Sequence, residues 1–325
     1  PEVESIVAIE LSEGVVRGLP FFEYENGRAF EDPRVRLLKE DGRHYLELTE
    51  ESFDVITLEP PPPIVAGSVH LYSRDFYELC LEHLNRGGVV AQWLPLHAQS
   101  LASARMTART FLDAFPHVML WLPSVRDAVL VGARDPLALD LGRLFDSYED
   151  PGTRANLDAA YLETPETFLA TYLLDRAGIE VWVGDAPAIT DDRPLMEFFR
   201  HQGGNMSDRD IGTLLVPPQA ALGWVGGLDG RPALRRRVEW ENRALRLYVQ
   251  AAVDGQPGAR VAAARSAVGT EFHLYGFGCA GAQLEALRAA PATSPDLWRT
   301  HVERCRQLAP PAASPETGDA DHDGP

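Results

Sequence analysis

Three acidic side chains each follow a short apolar run near the start of the chain. They are Glu10, Asp41 and Glu59, and the runs before them read Ser-Ile-Val-Ala-Ile, Val-Arg-Leu-Leu and Asp-Val-Ile-Thr-Leu. One carboxylate can accept both hydrogen bonds of a ribose diol, and another can accept from the amino group of adenine. Ligands bind beyond the carboxyl ends of strands in open α/β sheets, so this pattern indicates a nucleoside site.

Asp41 precedes Gly42, and a glycine lets the backbone approach a ligand closely. An ordinary turn explains the pair equally well, and both interpretations stay open. Glu59 is followed by four prolines, which fix φ and lack an N–H, so the chain must leave the sheet in a stiff loop. The candidate nucleoside-binding residues are therefore Glu10, Asp41, Gly42 and Glu59.

The elements around Glu59 predict a strand-helix-strand unit. Residues 54–58 begin with Asp54 and are otherwise mainly apolar and rich in branched side chains, which predicts a buried parallel strand. Ser73 is a candidate helix N-cap with Asp75 in the first turn, and Asn-Arg-Gly-Gly at residues 85–88 is expected to end that helix. Residues 89–94 are the next expected strand. A hairpin of residues 118–122 and 128–132 follows, and Ser100 is expected to cap the helix before it.

The remainder of the chain has a different pattern. Amphipathic helices are expected at 137–148, 153–160 and 164–177, with a loop at 182–187. In the acidic cluster at 190–198, Asp192 beside Arg193 predicts an ion-paired, capped turn. The sequence predicts a nucleoside-binding domain at 1–135, a helical extension at 136–202 and a linker at 203–232. Helical hairpins are expected at 233–308, with helices at 233–253, 261–267, 280–290 and 295–308. A disordered tail is expected at 309–325.

Composition excludes some partners. The 325 residues carry a formal charge of −18, which argues against a nucleic-acid partner because phosphate binding needs a basic surface. The three cysteines lack metal-ligand spacing and indicate a reducing compartment. No apolar run is long enough to span a membrane, so the chain is expected to be soluble. It begins at Pro1, directly before an expected strand, so a fragment of a longer protein is expected.

Several stretches in order resemble the spermidine synthase (polyamine aminopropyltransferase) family, above all its bacterial members in which this domain follows a membrane portion. The resemblance covers about residues 1–200. The matching stretches are Val-Ala-Ile-Glu10, Asn26-Gly, Asp32-Pro-Arg-Val, Glu40-Asp-Gly-Arg, Asp54-Val-Ile-Thr-Leu-Glu, Ala66-Gly, Leu71-Tyr-Ser-Arg-Asp-Phe-Tyr, Gly87-Gly-Val, Gln92-Trp and Thr190-Asp-Asp-Arg-Pro.

The resemblance implies a fold and site roles. The fold would be α/β, a doubly wound, class I methyltransferase-like Rossmann sheet lacking its first strand, followed by an α-helical C-terminal region. Glu10 would bind ribose and Asp41 the adenine amino group. Glu59 would occupy the first acidic position of the family's Asp-x-x-Asp-Pro signature, and Pro62 the position of its catalytic base. Because proline cannot accept a proton, Glu59 or Asp75 would have to replace that base in part.

The implied reaction is transfer of an aminopropyl group from decarboxylated S-adenosylmethionine to a polyamine such as putrescine, without a metal. The alternatives are a methyltransferase that uses S-adenosylmethionine and an inactive binding or scaffold module of the same fold. A homodimer is also expected. The expected location is the cytoplasm, or the cytoplasmic part of a membrane-anchored protein.

Overall fold

The computed structural model describes residues 3–253, apart from residues 64, 66, 125, 161, 163, 199–204 and 219. The helices expected at 261–308 and the tail at 309–325 lie outside the described residues. Among the described residues, no helix combines the length and apolar character that crossing a membrane requires.

Strands and helices alternate along most of the described chain. The strands are Ile6–Ile9 (β1), Val35–Leu38 (β2), Phe53–Leu58 (β3), Leu84–Pro95 (β4), His117–Trp121 (β5), Asp127–Ala133 (β6), Leu139–Asp140 (β7), Tyr172–Asp175 (β8) and Val225–Gly226 (β9). The α-helices are Glu13–Gly18 (α1), Glu23–Asn26 (α2), Gly42–Leu48 (α3), Arg74–Glu82 (α4), Leu101–Ala114 (α5), Leu141–Glu149 (α6), Pro151–Ala159 (α7), Pro165–Ala170 (α8), Arg176–Val183 (α9), Leu195–Phe198 (α10), Asp208–Gly212 (α11) and Pro232–Val253 (α12). Short 3-10 helices span Leu19–Phe22, Ala29–Glu31, Ser68–Leu71, Leu96–Ala98 and Thr213–Leu215.

The strands form parallel pairs within an α/β architecture. β1 pairs with β2, and β3 pairs with β4, both in parallel. Within the described residues, β3-β4-β6-β5-β8 is the order of the largest sheet, whereas β1 and β2 form a separate sheet. The α/β class predicted from the sequence is confirmed, and β5 and β6 are neighbours as the predicted hairpin requires.

The predicted helix starts are accurate in the first half of the chain. The Ser73 hydroxyl accepts from the N–H of Phe76 at the start of α4, and Ser100 caps α5 in the same way. The predicted helix stop at residues 85–88 was wrong, because these residues already belong to β4. A Cβ at Gly88 would lie 3.0 Å from the Phe53 carbonyl oxygen, so the glycine allows the two strands to approach where their register shifts.

Part of the helix predicted at 164–177 is a strand. Thr164 and Pro165 begin α8 as expected, but the helix ends at Ala170 and β8 follows. Leu173 and Leu174 in β8 are fully buried. A short apolar run can be a buried strand or a buried helix segment, and periodicity does not separate the two. The loop predicted at 182–187 was also wrong in part, because α9 continues to Val183.

The strand at 54–58 was predicted to be buried, and this expectation was wrong. Val55 is 55% exposed, and Ile6 of β1 is 43% exposed. The reason is that β3 is the outermost strand of its sheet, and β1 belongs to the other sheet. The absence of a first strand beside Glu10 stays a prediction.

The chain divides into two compact units. The first comprises residues 1–120, 129–137 and 174–205, and its core includes Val69, Tyr72, Met106, Ile189 and Met196. The second comprises 121–128, 138–173 and the residues from 206 onward. In this second unit, the rings of Trp121, Phe168, Tyr172 and Trp224 pack with neighbouring centroids 5.1 to 5.5 Å apart.

The segment predicted as a linker contains folded structure. Its described residues include α11 and β9, and Leu214 and Val225 are buried. The Asn242 amide of α12 donates to the carbonyl oxygens of Ala170 and Tyr172 within the same unit. The division of the chain into domains at 135, 202 and 232 remains a prediction.

Candidate functional site

The structure brings Glu10 and Asp41 to the same edge of the β1–β2 sheet. The N–H of Glu10 donates to the Leu38 carbonyl oxygen at 2.9 Å, and the N–H of Glu40 donates to the Glu10 carbonyl oxygen at 3.2 Å. Glu10 therefore lies opposite the residues that lead directly into Asp41. This proximity follows from the parallel register of β1 and β2, which pairs Ile9 with Leu38.

Both carboxylates already accept one local hydrogen bond. Oε1 of Glu10 accepts from the N–H of Ser12 at 2.6 Å. Oδ1 of Asp41 accepts from the N–H of His44 at 2.9 Å, which makes Asp41 the N-cap of α3. A carboxylate has two oxygens and about four lone-pair sites, so each retains acceptor capacity for a ligand. Gly42 is exposed, and a Cβ there would meet no atom within 4 Å.

Glu59 is exposed at the end of β3, and within the described part of the chain its carboxylate has no hydrogen-bond or ion-pair partner. The loop that follows it is anchored through carbonyl oxygens. The buried Tyr72 hydroxyl donates to the carbonyl oxygens of Pro60 and Pro61, both at 3.1 Å. The Ser68 hydroxyl donates to the carbonyl oxygen of Pro62 at 2.8 Å. Burial raises the pKa of Tyr72, so its phenol stays protonated and able to donate.

Asp75, the second residue considered for proton transfer, has a positioning contact. Its Oδ2 accepts from the backbone N–H of Asp191 at 2.9 Å. The N–H of Arg74 donates to the carbonyl oxygen of Ile189 at 2.9 Å, so the first turn of α4 holds the segment around Asp191 by two hydrogen bonds. A catalytic role of Asp75 remains a prediction, as does that of Glu59.

The main ion pair of this region was missed by the sequence reasoning. Arg43, in the first turn of α3, donates to Asp191 at 3.0 and 2.6 Å, with one nitrogen on each carboxylate oxygen. The same guanidinium donates to the carbonyl oxygen of His70 at 3.1 Å, and Nδ1 of His70 lies 3.4 Å from Oδ1 of Asp191. The acidic cluster at 190–198 could have indicated this ion pair. However, the sequence favoured Asp192 as its acidic member, and Asp192 is exposed.

The ion pair fixes the charge of Asp191. Its hydrogen bonds with Arg43 lower the pKa of Asp191 to about 2 against the opposing effect of burial, and they raise the pKa of Arg43 further above its ordinary value. Both groups therefore remain charged over the whole physiological pH range. The described residues contain no group of three or more acidic, histidine or cysteine side chains placed to hold a metal ion.

We expect Asp191→Ala to lower the free energy of unfolding by about 1 to 2 kcal/mol, since hydrogen bonds to charged groups contribute about 1.5 to 3 kcal/mol and this pair is partly exposed to screening solvent. Asp192→Ala is the matched control, and a change within about 0.5 kcal/mol is expected for this exposed neighbour. Urea unfolding near neutral pH measures both. Equal effects of the two substitutions would contradict the assignment of the ion pair.

The same pair predicts a pH dependence. The pKa of Asp191 falls from 3.8 to about 2 on folding, so its stabilisation is complete above the unfolded value and is lost as pH falls through the folded one. Between about pH 4 and pH 2, Asp191→Ala should therefore lose less stability than the parent.

The first part of the chain is similar to proteins of one family. Residues 1–130 match the spermine/spermidine synthase domain, in agreement with the family named from the sequence. The membrane-fused branch and the truncation stay predictions. Polyamine aminopropyltransferase 1 of Pseudomonas aeruginosa is 36% identical over 107 residues, which are 33% of this chain and 37% of that protein. Polyamine aminopropyltransferase 2 of the same organism is 31% identical over 188 residues, which are 54% of this chain and 52% of that protein. The chain thus spans about a third to a half of the length of these curated relatives.

Solved structures are similar over part of the chain. A probable spermidine synthase from Corynebacterium glutamicum has a TM-score of 0.39 at 20% identity, over 57% of this chain and 63% of that one. A spermidine synthase in complex with the transition state analogue AdoDATO has a TM-score of 0.38 at 20% identity, over 41% of this chain and 47% of that one.

Proposed function

With a spermine/spermidine synthase domain in residues 1–130 as the premise, we propose that this protein transfers an aminopropyl group to a polyamine. The donor is decarboxylated S-adenosylmethionine, and the acceptor is a diamine such as putrescine. The reaction is an in-line displacement at the carbon bonded to the sulfonium, so the protein must position a neutral amine and exclude water. The relatives named polyamine aminopropyltransferase support this class of reaction.

The observation that carries the proposal is the acidic edge formed by Glu10 and Asp41. Each side chain retains a carboxylate oxygen beyond the one that caps a backbone N–H. In the proposed complex Glu10 binds the ribose hydroxyls, and Asp41 accepts from the adenine amino group. Gly42 leaves open space beside Asp41, into which the ring can come close.

Charge complementarity supports a polyamine as the second substrate. The carboxylate of Glu59 is exposed at the start of the proline loop and has no partner among the described residues. The chain as a whole has a formal charge of −18. An acidic surface raises the local concentration of a polycation and speeds its association. The proposal also includes a cytoplasmic location, a homodimer and no nucleic-acid partner.

Titration of the full-length protein with two nucleosides tests the proposal. S-adenosylmethionine carries a carboxylate that the decarboxylated compound lacks, and an acidic site repels it. We expect the decarboxylated nucleoside to bind at least about tenfold more tightly, a difference of about 1.4 kcal/mol. Tighter binding of S-adenosylmethionine would favour a methyltransferase, and binding of neither would favour a scaffold module.

Gly42→Ala separates close approach of a ligand from a simple turn. Because the added methyl group meets no atom of the protein, we expect the free energy of unfolding to stay constant or to rise by up to about 1 kcal/mol. Nucleoside affinity should fall nonetheless, since the methyl group occupies space beside Asp41. Unfolding by urea and nucleoside titration measure the two effects, and unchanged affinity would support the turn interpretation.

A further inference from the structure

His70 is a partly exposed histidine that contacts both members of the Arg43–Asp191 ion pair. It lies in the 3-10 helix Ser68–Leu71, and its side chain is 44% exposed. Its Nδ1 lies 3.4 Å from Oδ1 of Asp191. A carboxylate that stays ionised can only accept, so Nδ1 must carry the proton in this contact. The lone pair of the neutral ring is then on Nε2, on the opposite side of the imidazole.

Asp191 is held so that it can orient this ring. Arg43 binds both carboxylate oxygens, and the Asp75 carboxylate accepts from the Asp191 backbone N–H. The backbone of His70 is fixed as well, because its carbonyl oxygen accepts from Arg43 at 3.1 Å and from the Ser73 hydroxyl at 3.2 Å. The charged groups arranged around the imidazole are therefore Asp191 and Arg43, with Asp75 behind Asp191.

Hydrogen bonds connect His70 to both parts of the candidate site. Arg43 belongs to the first turn of the helix that Asp41 caps. Tyr72, two residues after His70, donates from its hydroxyl to the carbonyl oxygens of the loop that follows Glu59. Oδ2 of Asp75 accepts from the Asp191 backbone N–H. Within the described residues, Nε2 of His70 has no hydrogen-bond partner, because the only ring contact of His70 is made by Nδ1.

We propose that His70 is the general base for the attacking amine and that Asp191 is its positioning residue, an inference that rests on the proposed aminopropyl transfer. In this step the amine nitrogen forms a bond to the propyl carbon as the carbon–sulfur bond breaks. The electron pair of the broken bond stays on sulfur, which changes from a sulfonium to a neutral thioether. The proton of the attacking amine passes to Nε2 of His70 and then to water.

The test is the pH dependence of kcat in the full-length protein, with decarboxylated S-adenosylmethionine and putrescine. A general base accepts a proton only when it is unprotonated, so the parent rate should fall on the acid side of neutral pH. His70→Gln should lower kcat by about 10²- to 10⁴-fold and remove this acid limb, because a positioned base contributes that factor. Nucleoside affinity should stay constant.

His83→Gln is the matched control. Nδ1 of His83 lies 2.8 Å from the carbonyl oxygen of Glu51, and neither residue belongs to the proposed site. We therefore expect parent kinetics. Asp191→Asn provides a second variant, in which the neutral amide should lower kcat and move the acid limb to lower pH while the folded fraction keeps its nucleoside affinity.

The outcomes separate this inference from the proposed function. If the parent transfers the aminopropyl group and folded His70→Gln retains both its rate and its acid limb, His70 is not the base. An equal loss in His83→Gln would also overturn the assignment. If the parent binds the nucleoside without any transfer, the proposed function itself fails, and the role of His70 fails with it.

Discussion

Pro62→Asp should raise the rate of aminopropyl transfer above that of the parent, most strongly on the acid side of neutral pH. The family resemblance predicts that Pro62 stands at the position of the catalytic base. A positioned base contributes about 10²- to 10⁴-fold, and a carboxylate stays unprotonated at about pH 6. We expect a gain of at least about tenfold there, measured as kcat with putrescine.

The loop should tolerate this substitution. The hydroxyls of Tyr72 and Ser68 bind the carbonyl oxygens of Pro60, Pro61 and Pro62, and these acceptors remain when a side chain changes. The N–H of Val65 also donates to the Pro62 carbonyl oxygen, at 2.9 Å. Loss of one proline should cost about 0.4 to 1 kcal/mol through the added freedom of the unfolded chain.

Pro62→Asn is the control, since it has the same size and the same loss of the ring but supplies no base. It should fold and show no gain in rate. A folded Pro62→Asp protein that binds the nucleoside but shows no transfer would mean that the acceptor pocket is absent. The aminopropyltransferase proposal would then give way to a methyltransferase or a binding module.

Asp41→Asn should weaken binding of the decarboxylated nucleoside by about 10- to 150-fold, which corresponds to the 1.5 to 3 kcal/mol of a charge-assisted hydrogen bond. Asparagine is an equally good N-cap, so α3 should keep its start. Its amide oxygen has to face the N–H of His44, as Oδ1 of Asp41 does. The amide NH₂ then faces the adenine amino group, and two donors cannot bind each other.

Asp150→Asn is the matched control for Asp41→Asn. Asp150 caps α7 by accepting from the N–H of Thr153 at 2.8 Å, so the chemical change at the helix start is the same. Calorimetric titration should show unchanged nucleoside affinity for this variant. Glu10→Gln should weaken binding to an extent similar to Asp41→Asn. Parent-like affinity in both Glu10→Gln and Asp41→Asn would reject the nucleoside site.

Local features of the fold could be predicted from the sequence because neighbouring residues determine them. Ser73 and Ser100 begin helices through their own hydroxyls, and β2 begins and ends where its apolar run does. β8 could not be predicted in the same way, since its apolar run fits a buried helix equally well. The exposure of Val55 depends on which strands are neighbours, and composition alone does not give that information.

The same distinction between local and long-range features holds for the candidate site. Strand ends indicated Glu10, Asp41 and Glu59, but the sequence did not show that Glu10 and Asp41 also bind backbone N–H groups. Arg43 and Asp191 are 148 residues apart, so no local pattern connects them. The acidic cluster at 190–198 contains Asp191, but only the fold shows that Asp191 binds Arg43 and approaches His70.

Product analysis tests the central claim most directly. The full-length protein is incubated with putrescine and decarboxylated S-adenosylmethionine, and in a parallel reaction with S-adenosylmethionine, and the products are identified by mass spectrometry. We predict spermidine and the thioether nucleoside in equal amounts from the decarboxylated donor, and no methylated amine from S-adenosylmethionine. A methylated product, or no product from either donor in a protein that binds the nucleoside, would contradict aminopropyl transfer.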